Sequence, residues 1–145
     1  LKSNIKSTSL LANVLIKNKA NDNGAYEALL LRDGFLTEGS ASNVFMVKDG
    51  IIKTPRLSNK LLPGITRKFL VDLISLHNLE YSECDISKDE LLDADEIFCS
   101  SSTNPVVPIT QVNDKIISES AGSISLDLYK HAQDYIKDSY KYKNR

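Results

Sequence analysis

Leu61-Leu62-Pro63-Gly64-Ile65-Thr66-Arg67 runs directly into Lys68-Phe69-Leu70-Val71-Asp72-Leu73-Ile74-Ser75-Leu76-His77. Phe69, Leu70, Leu73 and Ile74 fall on one face at helical spacing, so a helix is expected to begin near Ile65. Pro63-Gly64 ahead of it is a turn signal that permits close backbone approach. The first turn of a helix carries free N–H groups and the positive end of the dipole, which suits a phosphate. Thr66 could add a hydroxyl there and Arg67 a charge. The commoner meaning of such a junction is a loop entering a helix with no ligand, so other segments have to decide.

Around this stretch the chain has 145 residues, enough for one domain with a core of its own. Hydrophobic residues make up 41% and charged residues 26%, and the formal net charge is -1. That balance gives no global attraction to nucleic acid or to an anionic membrane surface. No apolar run is long enough to span a bilayer. Cys84 and Cys99 form no metal or redox motif and are expected to be reduced and wholly or half buried. A cytoplasmic location fits. The chain opens Leu1-Lys2-Ser3, its only methionine is Met46 and nothing resembles a secretory signal. It is expected to be a piece of something longer.

Read in order, the periodicity predicts a helix from Ser9 to about Asn21, with Lys17 and Lys19 near its C-terminal end, where the dipole favours cations. Strands are expected at Tyr26–Leu31, Phe35–Thr37, Asn43–Val47 and Ile51–Thr54, with turns at Asp33-Gly34 and Lys48-Asp49-Gly50. After the central helix come a strand at Leu79–Cys84, a capping box at Ser87-Lys88-Asp89-Glu90 and a strand at Glu96–Cys99. A hairpin about Asn113-Asp114 joins Val106–Val112 to Lys115–Ser118. The closing helix, Ser123 to about Tyr140, turns Ile124, Leu128 and Ile136 inward. With no repeats and no linker, the expectation is a single α+β domain over residues 1–145.

Segments beyond the opening stretch could carry chemistry. Lys6, in Ile5-Lys6-Ser7-Thr8-Ser9, is ordinarily a solvated lysine, but a desolvated one titrates lower and becomes a Schiff-base nucleophile. Thr37-Glu38-Gly39-Ser40-Ala41-Ser42-Asn43 places a carboxylate and small residues between two strands. It reads either as a polar loop or as a fixed charge beside a closely held ligand. Ser100-Ser101-Ser102-Thr103, at a strand end, offers hydroxyls and N–H groups to an anion or simply to its own backbone. Taken together these segments suggest one assembly. Ile65, Thr66 and Ser102 would hold a phosphate, Glu38 an aromatic nitrogen and Lys6 an aldehyde, which are the functional groups of pyridoxal phosphate.

In the order of these segments, the sequence resembles the C-terminal half of the class IV, or fold-type IV, pyridoxal-phosphate aminotransferases. That family includes D-amino-acid transaminase, branched-chain aminotransferase and aminodeoxychorismate lyase. The resemblance implies the cofactor-binding C-terminal domain of that fold, a β-barrel-like sheet with flanking helices, whose N-terminal domain is absent here. It implies that Lys6, within Lys6-Ser7…Leu10-Leu11…Asn13, is the catalytic Schiff-base lysine and that Glu38 pairs with the pyridine nitrogen. Ile65 and Thr66 would hold the phosphate, Leu62 would pack on the ring, and Ser101 and Ser102 would also contact phosphate. No metal is implied. The freed Lys6 would carry a proton between the substrate α-carbon and the cofactor.

For the particular reaction, Glu38–Phe45 and Lys6–Leu15 look most like D-amino-acid transaminases, and Leu57-Ser58 with Leu61–Arg67 like branched-chain aminotransferases. Thr54–Leu57 and Asn104–Pro108 lean toward aminodeoxychorismate lyases. Amino-acid and 2-oxo-acid substrates, possession of the absent N-terminal domain by the parent chain and a homodimer are implied. The isolated piece is expected to be inactive. Readings from other classes are an inactive interaction domain and a non-catalytic binder of a phosphorylated ligand.

Overall fold

The computed structural model describes residues 11–58 and 64–143. The chain runs α1 (Leu11–Asp22), β1 (Leu29–Arg32), β2 (Phe35–Gly39), β3 (Asn43–Lys48), β4 (Ile51–Thr54), α2 (Ile65–Leu76) and β5 (Tyr81–Glu83). It continues through α3 (Lys88–Leu92), β6 (Glu96–Ser100), β7 (Val107–Ile109), β8 (Gln111–Val112), β9 (Lys115–Ile116) and α4 (Ser123–Lys143).

The organising layer is a five-stranded sheet in the order β5-β4-β3-β6-β7. β3 is central, antiparallel to β4 on one side and to β6 on the other. α2 is the crossover that brings β5 back parallel to β4, the connection a parallel pair requires. β1–β2 and β8–β9 are separate two-stranded sheets, and no closed barrel forms among the described residues.

Side chains alternate across a strand, so β3 and β6 feed two cores at once. Phe45, Val47 and Phe98 face α2 and α4, where they pack with Leu70, Leu73, Ile74, Leu128 and Ala132. Phe45 and Phe98 stack there, centroids 5.0 Å apart and planes 4° from parallel. Val44, Met46, Ile97 and Cys99 face the other way, against Leu36, Ile86 and Leu91. The α2 face is the one its spacing predicts, with Arg67 buried alongside it.

Short-range signals are realised directly. Asp33-Gly34 and Asp49-Gly50 carry positive φ and close the β1–β2 and β3–β4 hairpins. Ser87 and Glu90 form a reciprocal capping box on α3. Cys84 is half-buried, Cys99 is buried, and both are free thiols. Other expectations are corrected. The first strand starts at Leu29 rather than Tyr26, because Glu27 turns into a polar loop. The run Val106–Val112 divides into β7 and β8. Ile136 is 42% exposed, and the inner face of α4 is made by Ser125, Leu128 and Ala132. The apolar stripe of α1 also faces outward: Leu11, Val14 and Leu15 are 61%, 53% and 58% exposed.

Candidate functional site

The site is built around the first residue of β3. Asn43 lies opposite Ser100, the last residue of β6, with Phe45 opposite Phe98 two residues on. By strand alternation Asn43 and Ser100 therefore project to the sheet face that α2 covers. Asn43 is buried. The start of α2 is packed so closely on it that a Cβ at Gly64 would overlap Asn43 Oδ1. The helix entrance, the end of β6 and the segment leaving β2 are thus joined at one asparagine.

Each wall contributes a different chemistry. Gly64 caps α2 in an extended conformation, φ -64° and ψ 140°, and contributes no side-chain cap of its own. Ile65 is 91% exposed at that turn, so what it offers is its backbone, and Thr66 beside it is half-buried. At the end of β6 the Ser100 hydroxyl is buried without a hydrogen-bond partner among the described residues. A buried orphan hydroxyl costs about 1–3 kcal/mol, and an anion between α2 and β6 would relieve it. Ser101 closes a local turn: its N–H donates to Asn104 O at 3.0 Å, and its hydroxyl lies 3.2 Å from Thr103 Oγ1. Ser102 is exposed just beyond.

Glu38 is 6% exposed on β2, opposite Leu30 of β1. A turn from Gly39 to Ser42, closed by Gly39 N–H to Ser42 O at 2.8 Å, connects it to Asn43. Lys6 and Leu62 lie outside the described residues. Arg67 corrects an expectation. It does not present its charge at the helix entrance, because the guanidinium is buried, donating to Pro55 O at 3.1 Å and pairing with Glu83 at 3.2 Å.

Sequence reading missed Glu27, which organises the turn after Glu38. Its side chain is 3% exposed. It accepts from the Ala28 N–H (2.8 Å), the Ala41 N–H (3.2 Å), the Ser42 hydroxyl (2.8 Å) and the Ser40 hydroxyl. Burial pushes its carboxyl up, but the hydrogen bonds from Ser40, Ser42 and Ala28, with the nearby Lys17 charge, outweigh burial and hold it below the ordinary value. The only trace in the sequence is a lone acid ahead of an apolar run. Burial pushes the Cys99 thiol, under the same turn, up to about 12 against a hydrogen bond with Ser42.

The α2 entrance, the buried Glu38 on the strand that leads to Asn43 and the hydroxyl-rich end of β6 bring N–H groups, a carboxylate and hydroxyls to neighbouring elements, a set able to hold an anion. The chain belongs to the class IV aminotransferases: the family described as Amino-transferase class IV matches residues 1–112. D-alanine aminotransferase of Bacillus licheniformis is 44% identical over 121 residues, covering 83% of this chain and 43% of the relative. A putative branched-chain-amino-acid aminotransferase of Methanocaldococcus jannaschii is 35% identical over 132 residues, covering 90% and 46%. Among solved structures, the branched-chain amino acid aminotransferase of Thermobaculum terrenum, in its PLP form, superposes with a TM-score of 0.87 at 28% identity, over 99% of this chain and 48% of that one. The branched-chain aminotransferase of Thermoproteus uzoniensis, solved with norvaline, gives 0.84 at 27% identity, over 90% and 44%. The chain therefore spans less than half the length of these relatives, and the fold is that of the fold-type IV aminotransferases.

Proposed function

We propose that this chain is the cofactor-holding C-terminal domain of a longer pyridoxal-phosphate-dependent aminotransferase that moves an amino group between an amino acid and a 2-oxo acid. The observation that carries the reading is the meeting of the α2 entrance, Asn43 and Ser100 on one side of the sheet, with Glu38 on the strand feeding the same turn. The Ser100 orphan hydroxyl and the glycine cradle at Gly64 fit a bound phosphate. When bound, pyridoxal phosphate supplies the electron sink for carbanion chemistry at the substrate α-carbon.

The chain's own residues would work as follows. The N–H groups of Ile65 and Thr66, with the Thr66 hydroxyl, hold the phosphate at the positive end of α2. Ser101 and Ser102 donate from the opposite wall. Glu38 would accept a hydrogen bond from the protonated ring nitrogen and so keep that nitrogen cationic, and Leu62 would pack on the ring. Lys6 would bind the cofactor's aldehyde carbon and, once the substrate amine has replaced it there, its freed amine would carry the proton taken from the substrate.

Relatives named as D-alanine aminotransferases support a D-amino acid as substrate. The exposed stripe of α1, Leu11, Val14 and Leu15, supports a covering surface, assigned here to the N-terminal domain or to the second subunit of a homodimer. A cytoplasmic location belongs to the same reading. The test uses the full-length protein. It should be yellow, bleach with borohydride and convert D-alanine and a 2-oxo acid, and Lys6→Ala should abolish the visible absorbance. Unchanged absorbance in that variant would remove Lys6 from its role. Turnover of branched-chain amino acids alone, or pyruvate release from aminodeoxychorismate, would reassign the reaction within the family.

A further inference from the structure

Glu27 lies between the turn that follows Glu38 and helix α1, which are far apart in sequence. One side of its carboxylate holds the turn that follows Glu38. Ser40, Ala41 and Ser42 are too small to fix their own conformation by packing, and each donates to Glu27. Gly39 makes this possible, because a Cβ there would press on Ser42 Oγ and on the Glu27 side chain. On the other side is Lys17 of α1. Its ammonium is 3.8 Å from Glu27 Oε1, donates to Tyr26 O and lies 4.6 Å from the centroid of the Tyr26 ring. α1 buries no side chain against the described residues, so within this domain polar ties such as this one hold it. It is also the helix that follows Lys6 in the chain.

A buried carboxylate is costly unless its oxygens are used, and here both are. We infer that Glu27, with Lys17, is a positioning residue of the proposed reaction: it sets the turn that places Glu38 and ties to it the helix that follows Lys6. This rests on the functional reading above. A purely structural staple would lower stability and leave the site's chemistry alone.

The experiment uses the full-length protein loaded with pyridoxal phosphate, as wild type, Glu27→Gln, Glu27→Asp and Lys17→Met. It measures the apo melting midpoint, the Kd for pyridoxal phosphate, the pH midpoint of the bound cofactor's visible absorbance, and kcat and KM separately. Glu27→Gln should lower kcat on the order of ten- to a hundredfold, as misplacement of a reacting group does, raise Kd, and displace the pH midpoint while the apo protein still melts cooperatively. Glu27→Asp should recover part of both. Lys17→Met, which leaves the turn intact, should lower kcat and displace the pH midpoint with little change in KM. If the variants change only the melting midpoint, the inference is overturned. If Glu27→Gln does not fold, Lys17→Met decides: wild-type kcat and pH midpoint in that variant overturn it. A wild-type protein that takes up no pyridoxal phosphate fails at the functional reading itself, an outcome separable from these.

Discussion

Gly64 is packed against Asn43 so closely that the side-chain oxygen of the asparagine fills the space where a Cβ would stand. The contact fixes the entrance of α2 to the first residue of the central strand, and through register to Ser100.

Gly64→Ala must therefore push Asn43 aside, although its backbone angles suit any residue. Overpacking of this kind costs about 1–3 kcal/mol. The expected outcome is a folded protein with weakened retention of pyridoxal phosphate, read by absorbance titration of the full-length protein.

Arg67 should behave differently from a phosphate ligand. Arg67→Met removes the donor to the buried Pro55 carbonyl and the partner of the half-exposed Glu83. A loss of about 1–3 kcal/mol is expected in urea unfolding, with cofactor affinity near that of the wild type.

The closing helix has an anchor outside itself. Glu96, at the start of β6, accepts from the N–H groups of Ile124 and Ser125 and from the Ser125 hydroxyl, at 2.9–3.1 Å. Glu96→Gln should cost about 1–2 kcal/mol, the range of a lost helix cap. Gly122→Ala places a Cβ on the Glu96 carboxylate and should displace the same cap. Far-ultraviolet circular dichroism during denaturant titration reads both.

Acid should act on Glu27. Its folded-state value is depressed below the ordinary 4.5, so its contribution is complete above that value and is lost as pH falls through the lower folded one. Unfolding free energies of wild type and Glu27→Gln, measured from pH 7 down to pH 3, should converge as pH falls. A constant difference across that range would remove Glu27 from the acid response. Glu90, also depressed by its capping-box bonds, is common to both proteins and cancels.

Cys99 should be inert in the folded protein. Its thiol is 1% exposed and pushed up to about 12 by burial, so almost no thiolate is present at pH 8. Labelling by iodoacetamide at that pH should reach Cys84 first and Cys99 only on addition of denaturant, as read by peptide mass spectrometry.

What the sequence determined by itself was whatever depends on near neighbours. The turns at Asp33-Gly34 and Asp49-Gly50, the Ser87–Glu90 capping box and the apolar face of α2 follow from local dihedral preferences and from helical spacing. The segments carrying Glu38, Ile65, Thr66, Ser101 and Ser102 could be picked out in the same way, as small-residue or hydroxyl-rich stretches at element ends. Tertiary structure decided what those segments face. Arg67 turns inward because β5 returns beside β4 and brings Glu83 to it. Glu27 leaves the strand because the turn after Glu38 supplies donors that no local pattern announces. Ser100 and Asn43 meet through antiparallel register. Periodicity records which residues share a face, but the partner of a buried charge is chosen by strand order and register, which bring distant parts of the chain together.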